Sequence, residues 1–108
     1  MSGISTHVLD AAKGTPATGI EVRLLRRSTG EIAAGTTDED GRISDVLSGP
    51  IDVGSYRLEF DTGAYYAKQG VPTFYPEVSI SFTVTDSDAH HHVPLLLSPY
   101  AYSTYRGS

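Results

Sequence analysis

The chain has 108 residues (11.6 kDa), no cysteine, and a net charge of −5 from 13 acidic residues against 8 Lys and Arg. That length makes a single domain, residues 1–108, burying roughly two-thirds of its unfolded surface and so able to hold a core without a metal or disulfide staple. The composition excludes a thiolate nucleophile, a zinc finger and an iron–sulfur centre, and it argues against a phosphate-neutralising nucleic-acid surface. No apolar run approaches the ~20 residues of a membrane span.

Alternation with period two dominates the chain. The first run, 4–10, places Ile4, Thr6 and Val8 on one face and Ser5, His7 and Leu9 on the other. Ile20-Glu21-Val22-Arg23-Leu24 opens a strand over 20–27, and Ser28-Thr29-Gly30 turns it into another over 31–36. Asp38-Glu39-Asp40-Gly41 reads as a hairpin turn with Gly41 at positive φ. It lacks the third acidic ligand and the downstream Glu of a calcium loop. A strand over 42–45 follows, beginning at Arg42, and after Ser48-Gly49-Pro50 comes a strand over 54–60. Residues 61–70 break the alternation. Asp61 and Thr62 offer caps at one end and Lys68 precedes Gly70 at the other, which predicts a short helix held by packing on a sheet. Strands over 78–85, 90–98 and 100–106 complete the chain, the first of them alternating most cleanly. Eight short strands and one helix predict an all-β fold, an antiparallel β-sandwich.

Strand 90–98 sets His91, Val93, Leu95 and Leu97 opposite His90, His92, Pro94 and Leu96. Only one face of a sheet can line the core. The other therefore carries Leu9, Pro94 and Leu96 beside histidines, which marks a candidate subunit contact against a background of ordinary exposed apolar residues. The consecutive His90-His91-His92, with His7, admit three readings: a solvated strand start, an acid–base pair, or two ligands of a His₃ zinc site. Arg42 and Arg106 are candidate anion contacts, and the clustered Tyr100, Tyr102 and Tyr105 suit sheet packing. There is no Gly-x-Ser-x-Gly elbow and no glycine-rich phosphate loop. MSGISTHVLD lacks the basic and apolar stretches of a secretory leader and YRGS is not a peroxisomal tripeptide, so a soluble cytoplasmic protein is expected.

Five segments together resemble one family: Ser5-Thr6-His7-Val8-Leu9-Asp10, Thr37-Asp38-Glu39-Asp40-Gly41-Arg42, Phe74-Tyr75-Pro76-Glu77-Val78, His90 through Tyr100, and Tyr102 through Ser108. The family is that of the transthyretin-related 5-hydroxyisourate hydrolases, and the terminal Tyr105-Arg106-Gly107-Ser108 is its most specific mark. His91 departs from the Tyr usual there, and its parity points it away from His92. The resemblance implies a transthyretin-like sandwich assembled as a homotetramer, a dimer of dimers, with no cofactor and no metal. It implies hydrolysis of 5-hydroxyisourate to 2-oxo-4-hydroxy-4-carboxy-5-ureidoimidazoline in urate breakdown. His7, Arg42, His92 and Ser108 would be catalytic, and His7, Arg42, Tyr105, Arg106 and Gly107 would bind the substrate. The resemblance places this site in the cleft between the two dimers; Gly107 would let the backbone turn, and a regular last strand would put Ser103 and Tyr105 on the cleft face with His7 and His92. The alternative is a non-catalytic carrier of transthyretin type, which lacks the YRGS ending and the histidines at positions 7 and 92; a zinc hydrolase is a third reading.

Overall fold

The computed structural model describes residues 2–108. Strands β1 (Gly3–Asp10), β2 (Thr15–Pro16), β3 (Glu21–Arg26), β4 (Gly30–Thr36), β5 (Arg42–Ser48) and β6 (Gly54–Phe60) precede the single helix α1 (Thr62–Lys68), and β7 (Val78–Val84), β8 (His90–Ser98) and β9 (Ala101–Thr104) follow it. The strands form two sheets. One runs β4-β3-β6-β7; in the other, β1 lies between β8 and the pair β2 and β5, with β9 outside β8. The sandwich and the helix agree with expectation. β2 is an addition of two residues, β5 is longer than predicted, and β9 ends at Thr104 rather than continuing to residue 106.

Alternation decides which side chains meet between the sheets. Val22, Leu24, Tyr56, Leu58, Phe60, Val78, Ile80 and Val84 come from one layer, and Ile4, Val8, Val46, Val93, Leu95 and Leu97 from the other, all buried. The parity read for the first and eighth strands is therefore the observed one. Thr6 joins the core face because its hydroxyl donates to the Val93 carbonyl at 2.6 Å, which removes the cost of burying it.

Helix α1 carries the caps its sequence offers. The Asp61 carboxylate accepts from the Ala64 N–H at 3.3 Å. Tyr66 is buried, and Tyr65 donates from its hydroxyl to Asp10 Oδ2 at 2.7 Å, so the helix is pinned to the end of β1. The other Asp10 oxygen accepts from the Ala12 and Lys13 N–H groups, which makes a fully buried carboxylate tolerable. Burial first, and the bond to Asp10 second, push the Tyr65 hydroxyl up to about 12.

At the centre of the second sheet the pairing is parallel. β1 runs alongside β8 with Ser5 opposite His92 and His7 opposite Pro94, whereas the other strand pairs are antiparallel. Parallel neighbours need a long crossover between them, and here most of the chain serves as that crossover. This register brings residues from the two ends of the sequence into one row.

Candidate active site

The row begins at the 38–41 turn. Asp38 Oδ1 accepts from the Asp40 and Arg42 N–H groups, both at 2.9 Å, and its carbonyl accepts from Gly41. Gly41 has φ +72°, and a Cβ there would lie 2.3 Å from the Val8 carbonyl oxygen, so the turn presses against β1 at a point only glycine can occupy. The turn delivers Arg42 as the first residue of β5, directly opposite His7.

On the other side of β1, β8 presents His92. Its Nδ1 is 2.8 Å from the Ser5 hydroxyl, and the same hydroxyl is 2.7 Å from His90 Nε2. Ser5 lies where the β1–β5 register shifts between Ile4 and Thr6, so its cross-strand partner is on β8 alone. His7, His90 and His92 are half-buried. Burial pushes His92 below the ordinary histidine range. The positive charges that His7, His90 and Arg42 can carry push it further down, and hydrogen bonding to Ser5 pulls weakly the other way. The registers of β1 with β5 and β8 thus place His7, Arg42 and His92 in one neighbourhood, although the sequence separates them by up to 85 positions.

The tail closes this neighbourhood in a manner the sequence did not suggest. Beyond β9, the Gly107 N–H donates to the His92 carbonyl at 2.9 Å in an isolated bridge. Gly107 does not have positive φ, so a sharp turn is not its reason for being glycine. The reason is contact: a Cβ would sit 2.3 Å from His92 Cδ2 and 3.3 Å from its Cβ. The His92 ring lies against the bare backbone of residue 107.

The remaining tail residues are placed less tightly. Ser103 lies opposite Leu96 as the last strand predicts, but Tyr105 is past the end of β9 and 60% exposed. Regular alternation therefore does not carry Tyr105 into the row. Tyr105 and Arg106 instead line a cavity of about 250 Å³ at the open edge of the sandwich, together with His92 and the core-facing His91. Ser108 is exposed next to Gly107. His91 points away from the site, as its parity requires, and its Nδ1 is buried without a partner. As for metal, among the described residues no group of three or more His, Asp or Glu is arranged to hold an ion. His90 and His92 converge on Ser5.

Ser5 is the member of the site that residue types alone did not bring forward as functional, and His90, read from the sequence as a candidate acid–base group or zinc ligand, instead bonds to Ser5. The shared face of Ser5, His7, His90 and His92 was legible from parity, but the pairing that joins them required the parallel register.

Residues 4–107 match the model of the HIUase/Transthyretin family. The chain belongs to this family. It is 49% identical to the 5-hydroxyisourate hydrolase of Caulobacter vibrioides, over all of both chains. The structure of Klebsiella pneumoniae 5-hydroxyisourate hydrolase superposes with a TM-score of 0.91 at 39% identity, covering 99% of this chain and 100% of that one. Transthyretin from Sparus aurata superposes with a TM-score of 0.87 at 33% identity, covering 99% and 97%. The HIUase/transthyretin fold thus carries both names, and the side chains of the row must decide between them.

Proposed function

We propose that the protein is a 5-hydroxyisourate hydrolase, a cyclic amide hydrolase whose active site is the His7–Arg42–His92 row closed by the terminal segment. The single observation that carries this reading is the cross-sheet arrangement itself. An arginine and two histidines, one of them biased toward its neutral form, meet on one face of the central strands. The near-full-length identity to a protein named for that activity supports it.

Opening the six-membered ring at the N1–C6 amide needs a proton removed from water as its oxygen attacks C6, negative charge accommodated on the C6 oxygen, and a proton delivered to N1 as the C–N bond breaks. Two histidines within one site can share the first and last tasks, and acid–base help of this kind gives about 10²–10⁴-fold. Arg42 supplies fixed positive charge for the carbonyl oxygen, an effect worth a similar factor. Tyr105, Arg106 and Ser108 complete the substrate's surroundings, Tyr105 and Ser108 orienting the ring or the water, and Gly107 keeps His92 in place. No cofactor or metal enters this scheme.

A homotetramer is part of the proposal. The outer face carries Leu9 and Leu96, each half-buried, beside Pro94, which is already buried within the chain, and the exposed Tyr100, Tyr102 and Tyr105 flank the free edge of β9; a self-complementary contact would cover what these leave open. No helix among the described residues is long and apolar enough to cross a membrane, and a cytoplasmic location fits the substrate's origin in purine breakdown.

The test is direct. Urate and urate oxidase generate 5-hydroxyisourate in the cuvette, and its decay is followed spectroscopically with and without the protein. Acceleration that persists in chelator is expected. A decay rate equal to buffer alone overturns the hydrolase in favour of a ligand carrier, and chelator-sensitive acceleration favours a zinc hydrolase.

A further inference from the structure

We infer that Ser5 and His90 are positioning residues that fix the His92 ring with its hydrogen on Nδ1, so that Nε2 is the bare nitrogen that takes the proton from water. This assignment of roles rests on the hydrolase reading above; the hydrogen-bond chain beneath it does not.

The direction of each bond follows from what each group can donate. The Ser2 carbonyl oxygen, 3.3 Å from His90 Nδ1, can only accept, so that nitrogen carries a hydrogen. A neutral imidazole has one N–H, which leaves His90 Nε2 as an acceptor. The Ser5 hydroxyl, 2.7 Å away, therefore spends its one hydrogen on His90. Toward His92 Nδ1, at 2.8 Å, the Ser5 oxygen has only lone pairs to offer. His92 Nδ1 must then be the donor, and Nε2 is left unprotonated.

The direction is fixed at the Ser2 carbonyl and transmitted through two side chains. An imidazole without such partners divides its hydrogen between both nitrogens. Ser5 is well placed to transmit it: it is 7% exposed, so water competes poorly for its hydroxyl, and its only cross-strand partner is His92. The titratable and charged groups around His92 are His7 from β1, Arg42 from β5 and His90 from its own strand, all three of which favour its neutral form, with Tyr105 and Arg106 of the tail lining the edge cavity beside it. Among the described residues no hydrogen bond fixes the ring of His7 in a comparable way. His7 is thus the group left to deliver the proton to the leaving nitrogen.

Long-range ¹H–¹⁵N correlation spectra of the labelled full-length protein, without substrate and at pH about 8 where ordinary histidines are neutral, read the tautomer of each ring. The wild-type His92 is expected as the Nδ1–H form. Ser5→Ala and His90→Phe are each expected to turn it into a mixture. They should lower kcat about tenfold, as when roughly nine in ten rings adopt the other tautomer, while KM stays near wild type. A wild-type His92 with its hydrogen on Nε2 overturns the inference, even if the variants fail to fold. So does a Ser5→Ala protein with unchanged tautomer and kcat. Because the wild-type spectrum needs no substrate, an Nδ1–H ring in a protein that does not accelerate 5-hydroxyisourate decay would sink the hydrolase reading while leaving the hydrogen-bond chain standing.

Discussion

Gly107→Ala places one methyl group where the structure has none to spare. The new Cβ would lie 2.3 Å from His92 Cδ2 and 3.1 Å from Cγ. The shorter distance is roughly 1.2 Å inside the 3.5 Å at which two carbons sit comfortably. Rotating the ring away is not enough, because the Cβ of His92 is also at 3.3 Å, and because rotation would pull Nδ1 off the Ser5 hydroxyl at 2.8 Å. The alternative is to lift the tail, which breaks the 2.9 Å bond from the Gly107 N–H to the His92 carbonyl. In stability the loss is small, about 1 kcal/mol for one partly exposed hydrogen bond, or a few degrees of Tm for a domain of this size. In catalysis it is larger. Misplacing a reacting group by about 1 Å costs on the order of a hundredfold, or about 2.7 kcal/mol of transition-state stabilisation. We therefore expect kcat to fall about a hundredfold while Tm drops by no more than a few degrees. Steady-state decay of 5-hydroxyisourate, with thermal unfolding by circular dichroism alongside, measures both. A Gly107→Ala protein with wild-type kcat would show that His92 need not lie against the tail, and would remove the tail from the site.

His7→Asn and His92→Asn are each expected to lower turnover about a hundredfold with Tm within a few degrees of wild type, since both side chains lie on the outer sheet face. His91→Tyr, which faces the core beside the edge cavity, should leave kcat nearly unchanged; an essential His91 with a dispensable His92 would mean that the catalytic parity is reversed. The downward displacement of His92 predicts that the acid limb of kcat/KM falls below the ordinary histidine value of about 6.5. The same displacement has a sign in stability: the unfolded chain binds a proton near pH 6.5 that the folded site refuses. Stability should thus decrease as pH falls through that value, level off once folded His92 also protonates, and lose this component in His92→Asn, as urea titrations at several pH values would show. Tyr65→Phe removes one donor from a fully buried carboxylate and should cost about 1–3 kcal/mol in urea unfolding; an unchanged midpoint would mean that Asp10 is satisfied without it. Light scattering should give about four times the 11.6 kDa chain mass, and a fully active monomer would refute a site formed between subunits.

The alternation of Val78–Val84 and of His90–Ser98 was enough to establish strands, a sandwich and the buried face of each strand, because period-two patterning is a local property that burial enforces residue by residue. The cap at Asp61, the glycine at 41 and the placement of Arg42 after a turn were legible for the same reason: each is a short-range hydrogen-bond or dihedral requirement. Tertiary structure alone decided what those faces meet. The parallel register of β1 on β8 sets Ser5 against His92, the antiparallel register of β1 on β5 sets His7 opposite Arg42, and no local rule specifies which of several strands will be neighbours or in what offset. Nor could composition show why residue 107 is glycine. Its backbone angles are ordinary, and the demand for a missing side chain comes from a histidine ring 15 positions away in sequence, brought into contact only when the tail folds back along β8.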